Sequence, residues 1–183
     1  IRHVSGVLNI LGTDYHYSSR PLTDVTFRNN LVVDLSAANW GGAGQLLLTS
    51  GGNNIRLDHN TVFTDGTSVV YADGNAVSGF RFTNNIIPDN AWAVMGAGAS
   101  EGRGTLSAFF PDAVFVGNVI IGAQPTLYPA GNYFPPTVSG VGFVDPARDF
   151  RLAPSSPYIG AATDGTAIGA AIDAVNAAAG TSY

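Results

Sequence analysis

The chain contains no cysteine and no lysine. Without thiols, disulfides and thiolate metal sites are excluded. Eight basic residues, all arginine, face thirteen acidic ones, for a net charge of −5. That balance leaves no basic footprint for nucleic acid, and only a local arginine cluster for holding an anion. Charged residues make up 11% of the chain, too few for the exposed faces of a helical bundle. No apolar run reaches the roughly 18 residues that a membrane-spanning helix needs. The three histidines have no metal-ligand spacing. No leader pattern opens the chain, which starts at Ile1 and reads as a processed product or a fragment of a longer chain.

What is present is repetition. Val25-Thr26-Phe27-Arg28-Asn29-Asn30-Leu31-Val32-Val33 returns as Ile55-Arg56-Leu57-Asp58-His59-Asn60-Thr61-Val62-Phe63. It returns again as Phe80-Arg81-Phe82-Thr83-Asn84-Asn85-Ile86-Ile87 and as Ala113-Val114-Phe115-Val116-Gly117-Asn118-Val119-Ile120-Ile121. The asparagines at 30, 60, 85 and 118 are spaced by 30, 25 and 33 residues. A period of roughly 20 to 50 residues marks an array of stacked units.

Each copy alternates with period two before its asparagine. Val25 and Phe27, Ile55 and Leu57, and Phe80 and Phe82 share an inward face. Arg28, Arg56, Asp58 and Arg81 fall on the outward one. Asn29, His59, Asn84 and Gly117 precede the repeat asparagines and are residue types that tolerate positive φ, so a left-handed bend is expected there. Asn30, Asn60, Asn85 and Asn118 then form an internal ladder, since amides about 4.8 Å apart bond to each other and to turn backbone.

A second series lies between these motifs: Leu46-Leu47-Leu48, Val69-Val70-Tyr71 and Ala93-Val94-Met95, each with a glycine nearby at 51, 74 or 98. The chain is therefore expected to be all-β, a right-handed parallel β-helix with three short strands per rung. It reads as one domain over 1–183, with regular rungs over about 22–123, an irregular closing segment over 124–170 and an Ala-rich tail over 171–183. Residues 34–44 and 99–112 are insertions. The second series is apolar at both parities and calls for a cover; Leu106, Phe109 and Phe110 are the expected one, with a lateral partner as the alternative. Gly131-Asn132-Tyr133-Phe134 reads as a further, degenerate corner. An uncovered end rung leaves a sheet edge for a cap or partner.

Asp149-Phe150-Arg151-Leu152, Ser156-Pro157-Tyr158-Ile159-Gly160, Asp164-Gly165 and Ile168-Gly169-Ala170 resemble the closing segment of bacterial right-handed parallel β-helix repeat proteins, the pectate-lyase-like superfamily. The Asn29-Asn30 and His59-Asn60-Thr61 corners resemble the same group, and the likeness covers most of 22–170. It implies an extracellular or cell-surface protein with polysaccharide or surface glycan as partner. It does not by itself imply an activity.

Two functions fit. One is a non-catalytic scaffold or glycan-binding module with no cofactor and no metal. The other is a lyase-like enzyme domain acting on acidic polysaccharide through Arg28, Arg56, Asp58 and Arg81, with calcium neutralising a uronate as the resemblance implies. An arginine base would need a strongly lowered pKa. His59 reads as a bend residue, and Glu101 is the sole glutamate, which leaves no evident pair of carboxylates for glycoside hydrolysis.

Overall fold

The computed structural model describes residues 1–181. In chain order the elements are β1 (Arg2–Val4), β2 (Gly6–Ile10), β3 (Thr23–Arg28), β4 (Leu31–Leu35), α1 (Ala37–Trp40), β5 (Gln45–Thr49), β6 (Asn53–Asp58), β7 (Thr61–Thr64) and β8 (Ser68–Ala72). They continue with β9 (Arg81–Thr83), β10 (Ile86–Pro88), β11 (Trp92–Gly96), α2 (Arg103–Phe109), β12 (Val114–Val116), β13 (Val119–Ile121), β14 (Phe143–Asp145), β15 (Asp149–Leu152) and α3 (Ile172–Ala179).

The first thirteen strands form three parallel sheets, ordered β1-β4-β7-β10-β13, β2-β5-β8-β11 and β3-β6-β9-β12. β14 and β15 make a separate antiparallel pair. The structure is thus predominantly β, with few and short helices and stacked parallel sheets, compatible with a solenoid of the β-helix kind. No described helix is long and apolar enough to cross a membrane.

Inward positions carry the repeat's apolar residues. Leu57, Phe82, Val62, Ile87, Leu47, Val70 and Val94 join one core cluster, all fully buried. Its aromatic side chains stack in series, Phe80 on Phe110 at 4.1 Å and Phe82 on Phe115 at 5.3 Å between ring centroids.

The expected cover is placed differently. Leu106, Phe109 and Phe110 belong to the main core itself, on and beside α2, which packs against the edge strand β11. Gly96 permits this approach, because a Cβ there would fall 2.5 Å from the Phe109 ring. These residues close one end of the core and do not lie over the outer face of β5, β8 and β11. On that face Leu48, Tyr71 and Met95 stand in register and are half-buried.

The strand set that needs a second cover is the one following each asparagine. Leu31, Val33, Ile86, Val119 and Ile121 form a second apolar cluster with Val141, Phe143, Phe150, Tyr158, Ile168 and Ile172. The C-terminal segment therefore lies along the outside of this sheet. Its strands are apolar at both parities because both faces are buried. The Ala-rich end folds as α3, anchored by Ile172 and stopped by Gly180 in the left-handed region at φ 64°.

At the closed end Tyr128, fully buried, donates its hydroxyl to Glu101 Oε1 at 2.6 Å. Desolvation pushes the Glu101 carboxyl pKa upward; the Tyr128 hydrogen bond opposes this and neighbouring Asp89 reinforces it. A carboxyl whose pKa is raised by folding stabilises the fold only while protonated. Stability is lost as pH rises from the unfolded value of about 4.3 through the higher folded one. Glu101→Gln keeps an acceptor for Tyr128 and removes the charge. It should raise Tm by a few degrees near pH 7, with the gain vanishing near about pH 4, as read by thermal unfolding at both. A destabilised variant at neutral pH would refute this account.

Candidate functional site

The corners set the geometry. Asn29, His59, Asn84 and Gly117 have φ of 56°, 51°, 57° and 73°. Each turns the chain out of the β3-β6-β9-β12 sheet and carries the next asparagine inward. Asn30 N and Nδ2 both reach Asn60 Oδ1 at 3.0 Å. Asn60 binds Asn85 in the same way at 2.9 Å, and Asn85 binds Asn118 at 3.0 and 3.1 Å. Asn132 adds a fifth member, its Oδ1 accepting from Asn118 N and Nδ2. It lies at the degenerate corner 131–134 expected from the sequence, although only 14 residues separate it from Asn118.

On the outward face of the same sheet, register aligns Arg28 with Asp58 and Thr83, and Thr26 with Arg56 and Arg81. The structure thus groups the four candidate residues in two columns with different chemistry.

The Arg28 column is neutralised. Arg28 Nε lies 3.0 Å from Asp58 Oδ2, and a terminal nitrogen lies 3.7 Å from Asp164 Oδ2. Asp58 also accepts from Thr83 Oγ1 at 2.7 Å and Asn84 Nδ2 at 3.0 Å. Burial works against its ionisation, but the hydrogen bonds from Thr83 and Asn84 and the contact with His59 prevail, so the pKa is lowered. His59 Nδ1 is 3.1 Å from Asp58 Oδ1, too far off the ring N–H axis to count as a hydrogen bond. Its Nε2 meets Thr166 Oγ1 at 3.1 Å, and the Thr166 hydroxyl donates to Asp164 at 2.6 Å.

Asp164 and Thr166 arrive from the C-terminal segment, over a hundred residues away in sequence, and nothing local in the repeat signals them. That segment is held by Asn84, which accepts from Thr163 N at 2.8 Å, and by Asn29, whose Oδ1 accepts from Ala171 N at 2.7 Å. Together Arg28, His59, Asp164, Thr166 and neighbouring backbone line a cleft of about 410 Å³. Its polar groups are largely spent on one another, and its chemistry is that of a seam between repeat corner and C-terminal segment.

The other column is free. Arg56 and Arg81 are exposed, adjacent in parallel register, and without an ion pair among the described residues. With Asp24, Thr26, Asn54 and Gly79 they line a groove of about 370 Å³. Asp24 is occupied by Asn54 Nδ2 at 3.1 Å. The strands carrying Arg56 and Arg81 lie about 4.8 Å apart, and two guanidiniums carried side by side repel each other, a repulsion that an anion between them relieves. Planar guanidinium forks suit a carboxylate or sulfate. Among the described residues, no three His, Asp or Glu side chains converge closely enough to hold a metal ion.

Comparison with models of known protein families gives no match, and comparisons with curated proteins and with solved structures give none either.

Proposed function

We propose that the three parallel sheets are the walls of a right-handed parallel β-helix with three strands to the turn, and that it serves as a non-catalytic glycan-binding scaffold of an exported bacterial protein. The ligand is an acidic polysaccharide, laid along the outward face of β3, β6 and β9 with a carboxylate between Arg56 and Arg81. The observation that carries this reading is the contrast between the two arginine columns. Arg28 is tied to Asp58 at 3.0 Å, whereas Arg56 and Arg81 stand exposed and unpaired among the described residues.

The lyase-like reading uses the same face but requires a group that removes a proton beside the bound uronate. Asp24, the carboxylate lining that groove, already accepts from Thr23 Oγ1 at 3.0 Å and Asn54. Among the described residues, those beside the arginine pair form no cluster of carboxylates suited to calcium.

A panel of uronic-acid polymers and neutral glycans tests the proposal by calorimetry and by absorbance of unsaturated product, with and without calcium. Uronate polymers should bind, more weakly as salt rises, and neutral glycans should not. Arg56→Ala with Arg81→Ala should weaken binding at least about ten-fold, the loss of one charge-assisted pair. Turnover abolished by those substitutions would establish the enzyme reading instead. Equal binding by the double variant would refute the site.

A further inference from the structure

The arginine groove has a second wall. β3 and β6 each pass through a left-handed residue near their starts, Asp24 at φ 62° and Asn54 at φ 53°, and Gly79 at φ 68° holds the same place ahead of β9. Register sets these three side by side, since Thr23 pairs with Asn53 and Asn53 bridges to Ser78. They stand two residues before Thr26, Arg56 and Arg81, about 7 Å along the strands. All six line the one groove of about 370 Å³.

The two walls carry opposite chemistry. Arg56 and Arg81 offer only donors at their guanidiniums, whereas Asp24 and Asn54 present acceptors. Asn54 Nδ2 donates to Asp24 Oδ1 at 3.1 Å, which turns Asn54 Oδ1 the other way, toward Gly79. A Cβ on Gly79 would fall 2.4 Å from that oxygen, so the glycine keeps its space open. Among the described residues nothing donates to Asn54 Oδ1. Asp24 is exposed, and its carboxylate accepts from Asn54 and from Thr23 Oγ1 at 3.0 Å, two of its roughly four lone-pair sites. A diagonal cross-strand neighbour lies within reach of a long side chain, yet Asp24 and Arg56 form no ion pair among the described residues. Opposite charges held apart in one groove fit a ligand that is itself dipolar.

We propose that the groove selects, among acidic glycans, those in which a uronate adjoins an amino sugar with a free amine. This rests on the glycan-binding reading of the Arg56 and Arg81 pair and adds a second position to it. The uronate carboxylate lies between the two guanidiniums. The neighbouring ammonium, with three donors, bonds to the spare lone pairs of Asp24 and to Asn54 Oδ1. A uronate homopolymer places another carboxylate beside Asp24 instead, so the group that attracts the amine also disfavours the homopolymer.

Three ligands test this by calorimetry at about pH 6, where such an amine carries its proton. They are an oligosaccharide alternating uronate with glucosamine, the same oligosaccharide after N-acetylation, and a uronate homopolymer of equal length. The free-amine form should bind at least about ten-fold tighter than its N-acetylated form, the effect of one charge-assisted hydrogen bond. Asp24→Asn should erase that preference and at the same time tighten the homopolymer, because a carboxylate beside the bound anions is gone. Weakening of all three ligands alike would mark Asp24 as a support of the fold and overturn the proposal. So would a preference that survives Asp24→Asn, which would place the amine elsewhere. Binding of all three that depends on Arg56 and Arg81 but shows no preference for the free amine would overturn this inference and leave the glycan-binding reading standing. No binding by any of them would remove that reading, and this one with it.

Discussion

Asn85→Ala should be the most damaging single substitution in the repeat. Asn85 is fully buried, and its side chain makes four hydrogen bonds. Oδ1 accepts from Asn60 N and Nδ2, and Nδ2 donates to Leu57 O and Asn118 Oδ1. Alanine removes all four and strands the Asn60 donors and the Leu57 carbonyl where water does not reach. An unpaired buried group costs about 1–3 kcal/mol, so a loss of roughly 3–5 kcal/mol is expected. For a chain of this size each kcal/mol lowers Tm by about 2–4 °C, which places the drop near 10 °C or more. Asn30→Ala, at the open end with fewer bonds and partial exposure, should cost clearly less. Denaturant melts of the two variants decide the matter. Equal losses would mean that the ladder is decoration on a fold held by its apolar core.

Phe150→Ala should act locally. Phe150 lies against Phe63 at 5.1 Å and Phe143 at 6.3 Å between ring centroids, in the second apolar cluster. Truncating a buried phenylalanine costs about 3–5 kcal/mol through lost burial and the cavity left behind. Because that cluster joins the C-terminal segment to the outer face of the first sheet, the loss should appear as easier detachment of the segment. Hydrogen exchange should accelerate at residues 143–172 while β6, β7 and β9 keep their protection. If the whole chain loses protection together, the cover and the stack form one cooperative unit and the separation fails.

These two variants also mark where reading the sequence succeeds and where it stops. The ladder positions and inward faces are local and repeated: Val25, Ile55 and Phe80 precede their asparagines at the same phase, and the positive φ of Asn29, His59, Asn84 and Gly117 follows from residue type. The Arg28–Asp58 and Arg56–Arg81 columns follow from the same phase once the strands pair in parallel. The degenerate corner at Gly131-Asn132-Tyr133-Phe134 also holds, with Asn132 joining the ladder even though a short irregular connection replaces a full repeat before it. The cover expected over β5, β8 and β11 enters the core at the β11 edge instead of lying on the outer face, because apolar residues at both parities do not show what lies against each face.

The amino-acid sequence alone determined the repeat, its corners and the side of each strand that faces the core, since these depend on neighbours two to four residues apart and on a pattern that recurs. Only the tertiary structure decided which sheet receives the C-terminal segment, and hence that Asp164 and Thr166 come up to His59 and Arg28 while Arg56 and Arg81 stay free. That outcome depends on contacts between residues more than a hundred positions apart. Such contacts are chosen by surface shape and burial, and no short-range pattern encodes them.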